Sequence, residues 1–175
     1  GGVGSGGFRV ALVSGADAAS SAAAERTKGW LASRLAPGSW QAVRLVLPAS
    51  AAADETVCAQ ALRPLLEGEG TTCGLLLLFG RRRGAEAGLA AATRALTCRT
   101  IPSLGSVLRA ACLPHAPASV LLGASCDAAL ARSSNSMLLS LPACAAAAEA
   151  GLAALLPSLP HALAQAGAPG LLRLC

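Results

Sequence analysis

The chain has 175 residues, of which 54% are hydrophobic, 13% charged and 2% aromatic. That balance excludes intrinsic disorder, which requires low hydrophobicity and high charge, and a chain of this length buries enough surface for one core without covalent staples. The net charge of +5 is made almost wholly of Arg, with Lys28 the single lysine, and only Arg81-Arg82-Arg83 forms a cluster.

Four aromatics (Phe8, Trp30, Trp40 and Phe79) and no Tyr leave little for base stacking, so no specific nucleic-acid partner is expected. The mean hydropathy of +0.57 comes from Ala and Leu. No run of about 18 uncharged apolar residues reads as a membrane span; residues 74–80 are too few, and residues 137–156 contain Pro142 and Glu149. The seven cysteines are odd in number, widely spaced and without a CxxC, which argues against a zinc site and a disulfide framework. They read as small apolar residues in a reducing intracellular compartment, the cytoplasm or an organelle reached through a removed targeting segment.

In chain order, Gly1–Gly7 reads as a flexible leader, since dinucleotide-binding glycines follow a strand and these precede one. FRVALVS at 8–14 is a buried strand. Residues 15–21 are small and polar and read as its loop, with a helix from 22 to 35 that Ser21 caps. After Pro37-Gly38-Ser39, WQAVRLVL at 40–47 alternates as a second strand. Residues 54–66 are the next helix, started by Asp54-Glu55. CGLLLLF at 73–79 is the continuous apolar run of a central parallel strand. A loop at 80–88 leads to helices at 89–98 and 103–112. Residues 119–122 form a short strand or a helical turn, MLLSL at 137–141 is a strand, and 145–156 and 159–166 are helical.

Strands alternating with helices predict a three-layer α/β/α domain with a mainly parallel sheet, spanning 8–166 with a tail at 167–175. Ligands in such sheets bind beyond the carboxyl ends of strands, which selects three loops. The first carries Ser14 and Asp17, residue types that suit a hydroxyl-rich or metal-bound ligand and equally suit helix capping. The second, Gly80 with Arg81, Arg82 and Arg83, suits phosphate through guanidinium forks. The third, Leu141-Pro142-Ala143-Cys144 after Ser140, opens a helix whose first N–H groups suit an anion. His115 and His161 are tied to no nucleophile, so spacing alone assigns no reaction.

The order of these segments resembles the molybdenum-cofactor biosynthesis proteins of the MogA/MoaB type, which include the G domain of gephyrin. Val10–Ser14 is similar to the family's opening strand, and ERTKGWL at 25–31 to its Asp-Arg-Ser-Gly-x-x-Leu helix start. Residues 75–93 occupy the place of its apolar strand, GGTG loop and Thr-Pro-Glu-Ala-Thr segment, and IPSL at 101–104 is similar to its Pro-Gly turn. SMLLSLPACAAAAEAGLAALLPSLPHAL at 136–163 resembles its Leu-Pro-Gly-Ser segment and terminal helix.

The resemblance implies the molybdopterin-binding fold, a homo-oligomer (a trimer in the family), molybdopterin and Mg-ATP as ligands, and adenylyl transfer to the molybdopterin phosphate. It implies ligand contacts from Ser14, Gly80, Arg81, Arg82, Arg83, Ser140, Leu141 and Pro142. The sequence departs where that chemistry needs most. GGTG is Gly80-Arg81-Arg82-Arg83, Ser-Asp is Ser14-Gly15, Leu-Pro-Gly is Leu141-Pro142-Ala143, and no Asp falls between Asp54 and Asp127. Glu86 and Asp17 are the nearest acidic candidates for holding Mg²⁺. Two readings follow: a molybdopterin-binding domain with weakened or lost adenylyl transfer, or a pseudoenzyme serving as a structural subunit of a larger assembly. A molybdenum-insertase-type partner fits the first.

Overall fold

A computed structural model describes residues 7–80, 87–121 and 126–175. Its elements run β1 (Phe8–Gly15), α1 (Ala18–Ala32), β2 (Trp40–Leu47), α2 (Ala49–Ala52), α3 (Glu55–Glu67), β3 (Leu75–Phe79), α4 (Ala87–Leu96), β4 (Thr97–Thr100), α5 (Pro102–Cys112), α6 (Pro117–Leu121), β5 (Asp127–Ala131), β6 (Met137–Leu141), α7 (Ala145–Leu155) and α8 (Leu159–Ala166).

The strands form one sheet in the order β2-β1-β3-β6-β5-β4. β2, β1, β3 and β6 run parallel, and β5 is antiparallel to both its neighbours. The expected three-layer α/β architecture with a mainly parallel sheet is therefore present. Its two cores follow from side-chain alternation along the central strands. Val10, Leu12, Leu75, Leu77, Met137 and Leu139 enter the core under α1, α5 and α7. Ala11, Val13, Leu76, Leu78 and Leu138 enter the core under α3 and α4. LLLLF is buried at every position because helices cover both faces, and each such leucine contributes roughly 1.5–3 kcal/mol.

Several boundaries differ from the sequence reading. The first helix starts four residues early, at Ala18, and its cap is Asp17, not Ser21: Asp17 Oδ2 accepts from Ser20 N at 2.8 Å. The small residues 18–21 read as loop, but Ser20 is buried against the sheet and packing overrides its weak propensity. The helix expected to continue to Cys98 ends at Leu96, where Thr97–Thr100 becomes an edge strand. Residues 117–121 are helical, whereas β5 and the short α2 were not expected. Asp54 caps α3 as read, accepting from Thr56 N and Val57 N at 2.8 and 3.2 Å. At the C-terminus, Leu174 bridges Leu35 and Leu172 is buried, so residues 167–175 pack onto the domain.

Candidate functional site

The parallel register brings the ends of the central strands to one level: Ser14 lies opposite Phe79, and Phe79 opposite Leu141. The sheet order reverses between β1 and β3, because the chain crosses from β1 to β2 on one side and later returns to β3 on the other. That reversal opens a crevice at the carboxyl ends of the strands. β5 runs the opposite way, so its first residue, Asp127, reaches the same end and sits opposite Ser140.

On the β3, β6 and β5 side of this end lies a cleft of about 380 Å³, between α4 and the start of α5. Leu78, Leu89 and Leu138 supply apolar wall, while Gly80, Ser140, Arg109 and Asp127 bring polar groups to it. Small-molecule sites combine apolar walls with a few convergent polar groups in this way, at volumes from about 300 Å³ upward.

Arg109 organises the cleft's polar side. Its Nη1 donates to Cys126 O at 3.1 Å and to Asp127 Oδ1 at 3.3 Å, and its Nη2 donates to Ser106 Oγ at 3.2 Å. The Arg109 and Asp127 side chains are 40% and 37% exposed. Thr93 also lines the cleft, but its hydroxyl turns back to Leu89 O at 2.7 Å and so serves its own helix.

The residues singled out from sequence are only partly brought together. Gly80 and Ser140 line the cleft. Ser14 is fully buried, and its hydroxyl donates to Gly15 O at 2.9 Å while accepting from Arg44 Nη2 at 2.6 Å. Leu141 points into the core under α7, and Pro142 is buried beside it. Asp17 caps α1. Arg81, Arg82, Arg83 and Glu86 lie outside the described residues, as does residue 122 of the predicted element at 119–122. His161 is exposed on α8, and His115 follows α5.

Sequence reasoning missed Arg44, Arg109 and Asp127. Arg44 carried one available signal, a cation inside a mostly apolar strand, WQAVRLVL. Arg109 and Asp127 could not be paired without β5. Among the described residues no group of three His, Cys, Asp or Glu side chains is arranged to hold a metal, and no helix is long and apolar enough to cross a membrane.

No family model matches the chain, and none of the curated proteins matches it by sequence. Solved structures do match. The molybdopterin biosynthesis enzyme MoaB of Thermus thermophilus superposes with a TM-score of 0.66 at 24% identity, over 91% of this chain and 96% of that one. The molybdopterin biosynthesis Mog protein of Mycobacterium ulcerans gives 0.64 at 18% identity, over 91% and 99%. The tungsten cofactor synthesizing protein MoaB of Pyrococcus furiosus gives 0.60 at 15%, over 91% and 97%. The fold of this chain is that of the MogA/MoaB molybdopterin biosynthesis proteins.

Proposed function

We propose that the cleft binds molybdopterin and that adenylyl transfer from Mg-ATP is weakened or lost. The observation that carries this reading is the position of the cleft, at the carboxyl ends of β3 and β6, in a fold shared with molybdopterin biosynthesis proteins. Apolar walls at Leu78, Leu89 and Leu138 suit a flat heterocycle, and the Arg109 guanidinium suits a phosphate through charge-assisted hydrogen bonds.

Magnesium does not fit the described residues. Asp127 is the one carboxylate among those lining the cleft, and it already faces Arg109 at 3.3 Å. A magnesium ion bridging phosphates takes carboxylate oxygens from the protein, and the described wall supplies no second one. That donor set supports binding with weakened group transfer.

A second reading, a structural subunit of a larger or self-associated assembly, draws support from the exposed Leu121, at 75%, together with Leu171 and Val46. It shares the fold and dispenses with the ligand. An insertase-type partner belongs to the first reading, and a reducing compartment suits the free thiols of both.

The two readings separate in one experiment. The purified chain is incubated anaerobically with molybdopterin, gel-filtered and assayed for co-eluting pterin fluorescence, alongside transfer of AMP from labelled Mg-ATP. Binding at micromolar protein that is lost in Ala90→Trp, which fills the cleft from α4, supports the first reading. Absence of binding overturns it, and rapid AMP transfer overturns the loss of catalysis.

A further inference from the structure

Gly105 lies inside α5 and is buried. A glycine there costs stability relative to alanine, because it orders more backbone freedom and packs nothing. The backbone does not call for it, since its φ is not positive. Space does. A Cβ at Gly105 would lie 3.3 Å from Arg109 Nη1, 3.4 Å from Cys126 O and 3.7 Å from Arg109 Nη2. Nη1 and Cys126 O are the two ends of one hydrogen bond, 3.1 Å long, so the bare Cα of Gly105 is the floor on which that bond rests.

The other walls of this seat are also fixed. Side chains on a helix tilt toward its N-terminus, so the residue at i+4 lies over residue i. Arg109 lies in this way over Gly105 and reaches Ser106, whose hydroxyl accepts from Nη2 at 3.2 Å. Opposite stands Cys126, with a φ of 73°, a left-handed conformation that non-glycine residues seldom adopt. Its N–H donates to Ser140 O at 2.8 Å, which pins the entry to β5 against β6 and holds the Cys126 carbonyl toward Arg109. Gly105, Arg109, Asp127 and Ser140 all line the cleft.

We propose that Gly105 is a positioning residue for Arg109: its missing side chain lets the guanidinium lie against α5, with both Nη atoms engaged, at the edge of the cleft. The phosphate that this guanidinium meets rests on the molybdopterin reading of the cleft; the seating rests on the geometry alone. Gly105 differs here from Gly88, where a Cβ would meet the backbone of Ala53 and Asp54 at 2.5 and 2.6 Å. At Gly105 the nearest atom is the end of a flexible side chain, which can swing away. Gly105→Ala is therefore expected to displace the guanidinium while the chain stays folded.

Three readouts on the full chain test this. The urea midpoint of Gly105→Ala is expected to stay level or rise. With isotope-labelled arginine, the Arg109 guanidinium signals are assigned by their loss in Arg109→Met. They are expected as separate Nη resonances in the parent and as averaged or shifted ones in Gly105→Ala. In molybdopterin titrations, Gly105→Ala is expected to weaken binding by about fivefold or more, and to add little in an Arg109→Met background. The proposal is overturned if Gly105→Ala unfolds or destabilises the chain, which makes the space a packing requirement. Unchanged Arg109 signals overturn it as well, as does an equal loss of binding in both backgrounds, which makes Gly105 mere clearance for the ligand. A parent chain that binds no molybdopterin overturns the ligand reading, and the Arg109 signals then decide the seating by themselves.

Discussion

Arg44 on the edge strand β2 donates through Nη2 to the buried hydroxyl of Ser14, at 2.6 Å, on the neighbouring strand β1. The same guanidinium donates through Nη1 to Leu12 O and Leu45 O, at 2.9 and 2.8 Å, and through Nε to Glu25 on α1, at 3.1 Å. One side chain thus ties β2, the end of β1 and α1 together at the edge of the crevice. Ser14, which the family resemblance assigns to ligand contact, is here engaged by the protein itself.

Removing that clamp is expected to cost stability rather than ligand affinity. Arg44→Met strands several partly buried acceptors and should destabilise by about 1–3 kcal/mol. Ser14→Ala removes one partner only and should cost less, about 0.5–1.5 kcal/mol. Urea denaturation of the two variants checks the ranking. Equal losses would show that the Ser14 contact carries the whole effect.

Close packing makes a second prediction, at Gly88 on α4. A Cβ there would lie 2.5 Å from the backbone carbon of Ala53 and 2.6 Å from Asp54 N. Backbone atoms cannot swing aside as a side chain can, so Gly88→Ala should push α4 away from the start of α3. Overpacking of this kind costs about 1–3 kcal/mol, read as a lowered urea midpoint. Because α4 also walls the cleft, weaker ligand binding should accompany it.

At Arg109 the expected balance is reversed. Its pairing with Asp127 is 37–40% exposed, and ion pairs in such settings contribute up to about 1 kcal/mol. Arg109→Met also strands the Cys126 carbonyl, so a stability loss of about 1–2 kcal/mol is expected, smaller than the effect on ligand binding. A charged hydrogen bond to a ligand phosphate is worth about 1.5–3 kcal/mol, so molybdopterin affinity should fall tenfold or more. Titration of pterin fluorescence against protein separates the two effects.

The thiols set an alkaline limit. Burial raises Cys58 and Cys73 above the usual value of 9.0, with Asp54 adding to the effect at Cys58, and the neighbouring Cys126 together with burial raises Cys112. Below pH 9 these groups carry their protons in both folded and unfolded chains and stability is unaffected. Above it, the unfolded chain releases protons that the folded chain retains, so stability falls as pH rises. The urea midpoint should be level from about pH 7 to 8.5 and decline beyond about 9. Cys58→Ala should flatten that decline, whatever it does to the midpoint at neutral pH.

The central strands were legible in sequence because LLLLF is apolar and buried throughout and MLLSL carries a single polar residue, Ser140. The far side of the sheet was not. TCRT is a four-residue edge strand continuing directly from a helix, and DAALA is alanine-rich, with neither β-branched residues nor clear alternation. Missing those two strands hid the wall of the cleft, because Asp127 reaches the site only through the reversed direction of β5. The carboxyl ends of β1, β3 and β6 were placed correctly at one end of the sheet, since the βα pattern dictates that much. Which side chains face a ligand was less legible. Ser14 and Asp17 turned out to be claimed by local hydrogen bonds, a competition that residue type alone does not reveal.

Equilibrium binding of molybdopterin to the intact chain tests the central claim most directly. Saturable binding of one molecule per chain, weakened by Arg109→Met and abolished by Ala90→Trp, is the predicted result. A chain that stays folded yet retains no pterin at micromolar protein, or that binds equally well in both variants, would contradict it.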